Sequence, residues 1–305
     1  MRAGSGHASV SRSALRLIRT VAACTTTALL VGCTSTVEAP TWEVFVCTPS
    51  TGLMLSARSG FKPIREIPNG EEMTALSEKD EWLKVRTRRD EEGWVLKAET
   101  APLEVLDRSR RMAEEAAKAQ VQYRGALNGD ANLRMEPDKN APFPRRLSKG
   151  DTVYILDHSR ANGSFLKVRS AEGHAGWVAG WLVEPRICPE LEPYQEDRAL
   201  GACIELNRIT GEDGEHPQLL LADAKPTSID VDFDRIRMFT WNLRKSRYET
   251  AYVEREMRGV LPITFETEED GAIHVRIEQI REGGERRPSW YTFKGVYFRK
   301  DKGSR

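Results

Sequence analysis

The chain has 305 residues, with 46 basic and 46 acidic side chains and a formal net charge of zero. That balance supplies no polyanion-binding excess, so no nucleic-acid partner is expected. Roughly 270 residues beyond the N-terminal segment suit two to four small domains.

Arg2, Arg12, Arg16 and Arg19 precede the first acid, Glu38. Residues 20–31 are apolar or small, the length of a signal-peptide core and too short to cross a bilayer as a retained helix. The run ends in Leu30-Val31-Gly32-Cys33, which resembles a lipoprotein processing box. The resemblance implies a signal peptide over residues 1–32, lipidation at Cys33 and a tether over 33–40. Val21-Ala22-Ala23-Cys24 also fits the box, but Arg16 and Arg19 interrupt the run before it. Acyl chains add about 0.8 kcal/mol of membrane affinity per buried methylene. Thr34 follows Cys33 where an Asp would signal retention, which resembles an outer-membrane address. Membrane attachment through lipid on the periplasmic side of the outer membrane is therefore expected. Without the four arginines the balance is 42 basic to 46 acidic side chains.

Two later stretches repeat one another. Leu53 and Leu133, Ile67 and Leu147, and Gly70 and Gly150 each stand 80 residues apart. Leu83 and Leu166, Val85 and Val168, and Trp94 and Trp177 stand 83 apart. One three-residue insertion near residues 159–163 accounts for the change, so register holds across both copies. Val153, Ile155 and Leu166, Val168 lie in short alternating runs, as half-buried strands do. Gly70 and Gly150 fall where tight turns need positive φ. Each copy reads as a small antiparallel barrel, the first over 41–102 and the second over 124–185. Units this small are near the lower limit for a self-standing core.

The second copy carries Asn132-Leu133-Arg134, Lys149-Gly150-Asp151, Lys167-Val168 and Gly176-Trp177-Val178. The first keeps Gly70-Glu71, Trp82-Leu83-Lys84-Val85 and Gly93-Trp94-Val95, with Gly52-Leu53-Met54 at the start. The pattern resembles the bacterial SH3-like (SH3b) domain, in which N-V/L-R, K-G-D/E, W-x-K-V and G-W-V follow in that order. Phe165 replaces the usual Trp, and Gly52-Leu53-Met54 departs from the family's first strand. The resemblance implies attachment to peptidoglycan or to an envelope protein. Trp82, Trp94, Phe165, Trp177 and Trp181 are the candidate ligand-binding residues. Trp82 and Phe165 are expected to be partly exposed, whereas for Trp94 and Trp177 a place in the barrel core is the favoured expectation.

Between the copies, residues 103–123 are rich in Ala, Glu, Arg and Lys. Leu103, Leu106, Met112, Ala116 and Gln120 recur at helical spacing, and Glu114 with Lys118 forms an i,i+4 pair. One helix is predicted, serving as spacer or packing against a barrel. Residues 186–200 read as a Pro- and Glu-rich linker. Cys188 lies within it and Cys203 just beyond it; a disulfide between them is one candidate pairing, as is Cys47 with either.

Residues 201–305 alternate through Ile236–Trp241, Tyr248–Val253, Val260–Phe265, Ile273–Ile280 and Trp290–Phe298, with Gly271, Gly283-Gly284 and Gly295 between. An antiparallel β-meander closing into a sandwich or barrel is predicted. The arginines near residues 235–247 are expected to face water and the aromatics the core. The fold class is mainly β: two tandem SH3-like barrels joined by a helix, then the meander.

Cys203 with His216 and His274 supplies the residue types of a cysteine peptidase, but in strand and loop contexts unsuited to one. His158, His174, His216 and His274 are scattered, without metal-ligand spacing, and no cofactor or metal is expected. The reading is a non-enzymatic envelope lipoprotein that binds peptidoglycan or an envelope partner. The alternatives are a scaffold for an envelope enzyme or secretion complex, and a wall hydrolase.

Overall fold

A computed structural model describes residues 40–161, 164–212, 214–228 and 230–302. Cys33, Cys24 and the apolar N-terminal run lie outside the described residues.

The first copy comprises β1 (Trp42–Val46), β2 (Ser50–Leu53), β3 (Arg65–Pro68), β4 (Glu72–Lys79), β5 (Trp82–Thr87), β6 (Glu92–Leu96) and β7 (Thr100–Pro102). Helix α1 (Leu103–Lys118) follows. The second copy comprises β8 (Tyr123–Leu127), β9 (Ala131–Leu133), β10 (Arg145–Leu147), β11 (Thr152–Ser159), β12 (Phe165–Ser170), β13 (Ala175–Ala179) and β14 (Val183–Arg186). The sheet orders β6-β5-β4-β1-β7 and β13-β12-β11-β8-β14 are the same arrangement, and each barrel adds a two-stranded ribbon. Even the bulges match, at Ala75/Ser77 and Ile155/Asp157. The insertion sits where the repeat placed it: Lys79 pairs with Trp82 across a two-residue turn, whereas Ser159 pairs with Phe165.

Helix α1 ends at Lys118, short of residue 123, because Ala119 is extended and Tyr123 opens β8. Its buried residues Val105, Ser109 and Ala116 point between the barrels. Val105, Leu106 and Met112 pack with Phe45, Cys47 and Ala101 of the first barrel and Met135 and Phe143 of the second. The helix is a wedge between the copies.

The C-terminal region is one seven-stranded antiparallel meander in chain order: β15 (Ala199–Gly211), β16 (Gly214–Ala224), β17 (Phe233–Asn242), β18 (Arg247–Thr267), β19 (Ile273–Ile280), β20 (Arg286–Lys294) and β21 (Tyr297–Lys300). Among the described residues its edge strands do not pair with each other. Curvature carries β21 back over β18, where Lys300 and the Tyr252 and Tyr291 hydroxyls donate to Glu254.

This sheet is not a separate body. Its apolar face (Ile204, Leu220, Ile236, Val275, Tyr291) is continuous with the second barrel's core (Leu133, Val153, Ile155, Val168), while the first barrel keeps its own core. A bulge in β18 around residues 261–263 breaks its ladder with β19, because Val260 pairs with Glu278 but Thr264 with Arg276. Buried backbone groups freed by a bulge need other partners. Asp232 Oδ2 accepts from Leu261 N–H at 2.7 Å, and the Gln122 amide pairs with Ile263. The insertion completes the seam. Arg160 donates to Asp232 Oδ1 (2.6 Å) and to the Val231 carbonyl (2.5 Å), and His158 Nδ1 lies 2.5 Å from the same carboxylate.

Residues 186–200 are a strap, not a linker. The Cys188–Cys203 disulfide (S–S 2.01 Å) pins one end to β15. Leu191 is buried against Leu219, Leu221, Phe239 and Tyr248, and the Tyr194 hydroxyl donates to the Tyr248 carbonyl. The strap covers the sheet's second face over Leu219, Leu221, Phe239 and Tyr248. Arg235 and Arg237 are buried and donate to Asp223 and Glu196. They share a face with Phe239, and Ile236 and Met238 occupy the other. The expected division into wet arginines and core aromatics holds for Arg244 and Arg247, which are exposed at the β17–β18 turn, and fails for Arg235 and Arg237, which Asp223 and the strap's Glu196 hold on a covered face.

Candidate binding site

The G-W-V step of each copy places its residues by strand alternation. Val95 and Val178 point into the barrels. Gly93 and Gly176 lie against Leu53 and Leu133, where an added Cβ would stand 2.6 and 2.7 Å from the leucine side chain. Trp94 and Trp177 are therefore turned outward and half-buried, opposite Lys84 and Lys167. Neither is a core residue. Phe165 departs from expectation in the other direction: it is 2% exposed, beneath Trp181, which is 66% exposed and meets it edge-on at 6.4 Å. At Trp181's place the first copy has Ala98, and Trp82 is half-buried. Trp82 and Trp94 share the outer face of β5–β6, and Phe165, Trp177 and Trp181 that of β12–β13; the two sets are not brought together.

The largest difference between the copies lies in the loop joining the ribbon strands, at 54–64 and 134–144. In the first copy Leu55, Phe61 and Ile64 are 84%, 64% and 48% exposed; their counterparts 80 residues on, Met135 and Ala141, are 2% and 7% exposed, and Pro144 is buried. The second loop is covered by α1 and the first barrel. Asn69 donates to the Pro144 carbonyl (3.3 Å), Arg108 bonds Glu136 (3.0 Å), and Arg134 lies over Phe143 and donates to the Ala141 carbonyl (2.8 Å). Among the described residues, the first loop is anchored at its root. Met54 and Trp94 exchange backbone hydrogen bonds of 2.8 Å, and Ile64 N–H donates to the Leu53 carbonyl. An exposed apolar loop on a rigid barrel is a candidate interaction surface. The sequence reading missed Leu55, Phe61 and Ile64, although the 80-residue offset sets them beside Met135, Ala141 and Pro144.

The remaining candidates take other roles. The Cys203 sulfur is bonded to Cys188 and so offers no thiolate. His216 stacks on Trp241 at 3.9 Å, and His274 Nε2 lies 3.2 Å from Glu268. Cys47 is buried, which pushes its thiol up to about 11. No group of three or more His, Cys, Asp or Glu among the described residues is gathered to hold a metal. A cleft of about 1030 Å³ lies between the second barrel, the strap and β15, lined by Arg124, Arg186 and Arg208 together with Glu190, Glu192 and Glu205. Its mixed charges select no ligand class.

Residues 56–101 and 129–184 match the model of the bacterial SH3 domain family, about a third of the chain. The chain carries two tandem bacterial SH3 domains. The first copy is SH3 domain 1 and the second is SH3 domain 2. No curated protein is significantly similar to the chain. Among solved structures, NlpC2 from Trichomonas vaginalis shows 13% identity and a TM-score of 0.20 over 48% of each chain. An NlpC/P60 family protein from Bacillus cereus ATCC 10987 shows 14% identity and a TM-score of 0.21 over 47% of this chain and 56% of that one. NlpC1 from Trichomonas vaginalis shows 12% identity and a TM-score of 0.20 over 83% and 89%. The chain thus spans about half the length of the first two. Likeness at these TM-scores bears on neither fold nor activity.

Proposed function

We propose that this chain is a non-enzymatic binding protein of the cell envelope, holding peptidoglycan or an envelope protein through SH3 domain 1. One observation carries the reading. SH3 domain 2 has its ribbon loop covered and its core merged with the C-terminal sheet, whereas SH3 domain 1 presents Leu55, Phe61 and Ile64 to solvent. One domain is built into a rigid support and the other is left to bind. The run ending in Cys33 supports attachment by lipid to the periplasmic side of the outer membrane.

Purified full-length protein should pellet with sacculi at low salt, and Phe61→Ser should abolish pelleting. Retention in the supernatant would overturn wall binding. Lysis of sacculi on a zymogram would overturn the non-enzymatic reading. Cys33→Ala should move the protein from the membrane fraction to the soluble one, and an unchanged distribution would remove the lipid anchor.

The scaffold reading is favoured by the composition of the face. Leu55, Phe61 and Ile64 offer apolar area and no side-chain hydrogen bonds, which suits a protein surface better than a sugar or a stem peptide.

A further inference from the structure

The open loop of SH3 domain 1 has a twin in the same chain, and the twin is occupied. The loop at 134–144 receives α1 through Val105, Leu106 and Met112, backed by Phe45 and Ala101 of SH3 domain 1. These positions on α1 form one apolar stripe at helical spacing. The edge of that contact is electrostatic: Arg108 on α1 bonds Glu136 on the loop. Loop 134–144 carries Glu136 and Asp138 balanced by Arg134 and Lys139, whereas loop 54–64 carries Arg58 and Lys62 and no acid. The two loops therefore share a strand frame and a set of apolar positions, and differ in charge: the closed loop is balanced and offers Glu136 to α1, and the open loop is basic.

We infer that loop 54–64 receives an amphipathic α-helix of a partner protein whose apolar stripe is bordered by acidic side chains. The inference rests on the proposal that SH3 domain 1 is the binding domain, and names the class of its partner. Leu55, Phe61 and Ile64 take the stripe as Met135 takes that of α1, and Arg58 and Lys62 face the acidic border. α1 itself is excluded as the occupant. It is spent on SH3 domain 2, and Arg108, Arg110 and Arg111 would repel a basic rim.

The probe is a lactam-stapled peptide of the α1 sequence, Leu103–Lys118, carrying Arg108→Glu, Arg110→Glu and Arg111→Glu. Stapling matters because a free helix of this length is marginal in water. The control is the stapled peptide with its arginines intact. Binding to full-length protein in mild detergent is measured by fluorescence anisotropy. The acidic peptide should bind saturably and at least about tenfold more tightly than the control, weakening with salt. Phe61→Ser should remove binding with the circular dichroism unchanged, because the ring is already in solvent. The double variant Arg58→Glu, Lys62→Glu should reverse the preference between the peptides, a result that misfolding cannot produce. Equal binding of both peptides, or a preference that the double variant leaves in place, overturns the inference. Phe61-dependent dimerisation in sedimentation also overturns it, by making a second copy the occupant. Pelleting with sacculi separates the two levels: Phe61-dependent pelleting without peptide binding leaves the binding domain standing and removes the helix, whereas loss of both removes the proposed function too.

Discussion

The side chain of Gln122 pairs with the backbone of Ile263 as a neighbouring strand would. Its Nε2 donates to the Ile263 carbonyl at 3.0 Å, and its Oε1 accepts from the Ile263 N–H at 2.9 Å. The residue is 0% exposed, and its own carbonyl accepts from Cys203 N–H at 2.7 Å. Three residues remote in sequence thus meet at the seam between SH3 domain 2 and the sheet. Gln122→Leu keeps comparable bulk and leaves two buried backbone groups without partners. It should cost about 3 kcal/mol in urea unfolding, since each unsatisfied buried group costs about 1–3 kcal/mol. A loss below about 1 kcal/mol would mean that water replaces the amide.

Asp232 governs how the same seam responds to acid. Burial by itself would raise its carboxyl, but the His158 ring, the Leu261 N–H and the Arg160 guanidinium bring it below the usual carboxylate value. A carboxylate depressed in the folded state adds stability above its unfolded pKa, near 3.9, and loses it as pH falls through the lower folded value. Neighbouring Asp157 is pushed up by burial and works in the opposite sense. Wild type should therefore be compared with Asp232→Asn, at about pH 6 and about pH 3. The variant should be the less stable at the higher pH, and its drop in urea midpoint on acidification should be the smaller. Parallel drops in the two proteins would exclude Asp232 as the acid-sensitive group.

The strap depends on its disulfide. Cys188 and Cys203 are separated by 15 in sequence, and closing a loop of that size contributes about 3 kcal/mol in the chain-entropy view. The Cys188→Ser, Cys203→Ser double variant should unfold at lower urea. It should also show raised hydrogen exchange at Leu219, Phe239 and Tyr248, which the strap covers. Unchanged exchange there would mean that Leu191, Tyr194 and Glu196 hold the strap without the covalent bond.

Two glycines of SH3 domain 1 are needed for different reasons. A Cβ on Gly93 would sit 2.6 Å from Leu53 and 2.8 Å from the Met54 carbonyl, so Gly93→Ala forces the barrel apart and should cost about 1–3 kcal/mol. Gly70 has φ +81° with open space around its Cβ position, so Gly70→Ala meets only backbone strain and should cost about 1–2 kcal/mol. Loss of binding to sacculi is expected for Gly93→Ala, beside the root of the open loop, and not for Gly70→Ala. Binding retained by Gly93→Ala would detach the loop's function from its root.

The sequence by itself determined what is local. Alternation at period 2, turn glycines and one register shared by two copies specify the strands, the barrels and even the hairpin that holds the insertion. It also specified the meander, because each of its strands pairs with the next in the chain. Only the tertiary structure decided which faces are covered. Phe165 lies under Trp181, Arg235 and Arg237 lie under the strap, and Met135 lies under α1, while Leu55 and Phe61 remain bare. Each depends on an element that arrives from elsewhere in the chain, and the covering element leaves no periodic mark on the strand it covers. The SH3 pattern is the same whether a loop is closed or open. The proposal that SH3 domain 1 is the binding domain rests on where α1 packs.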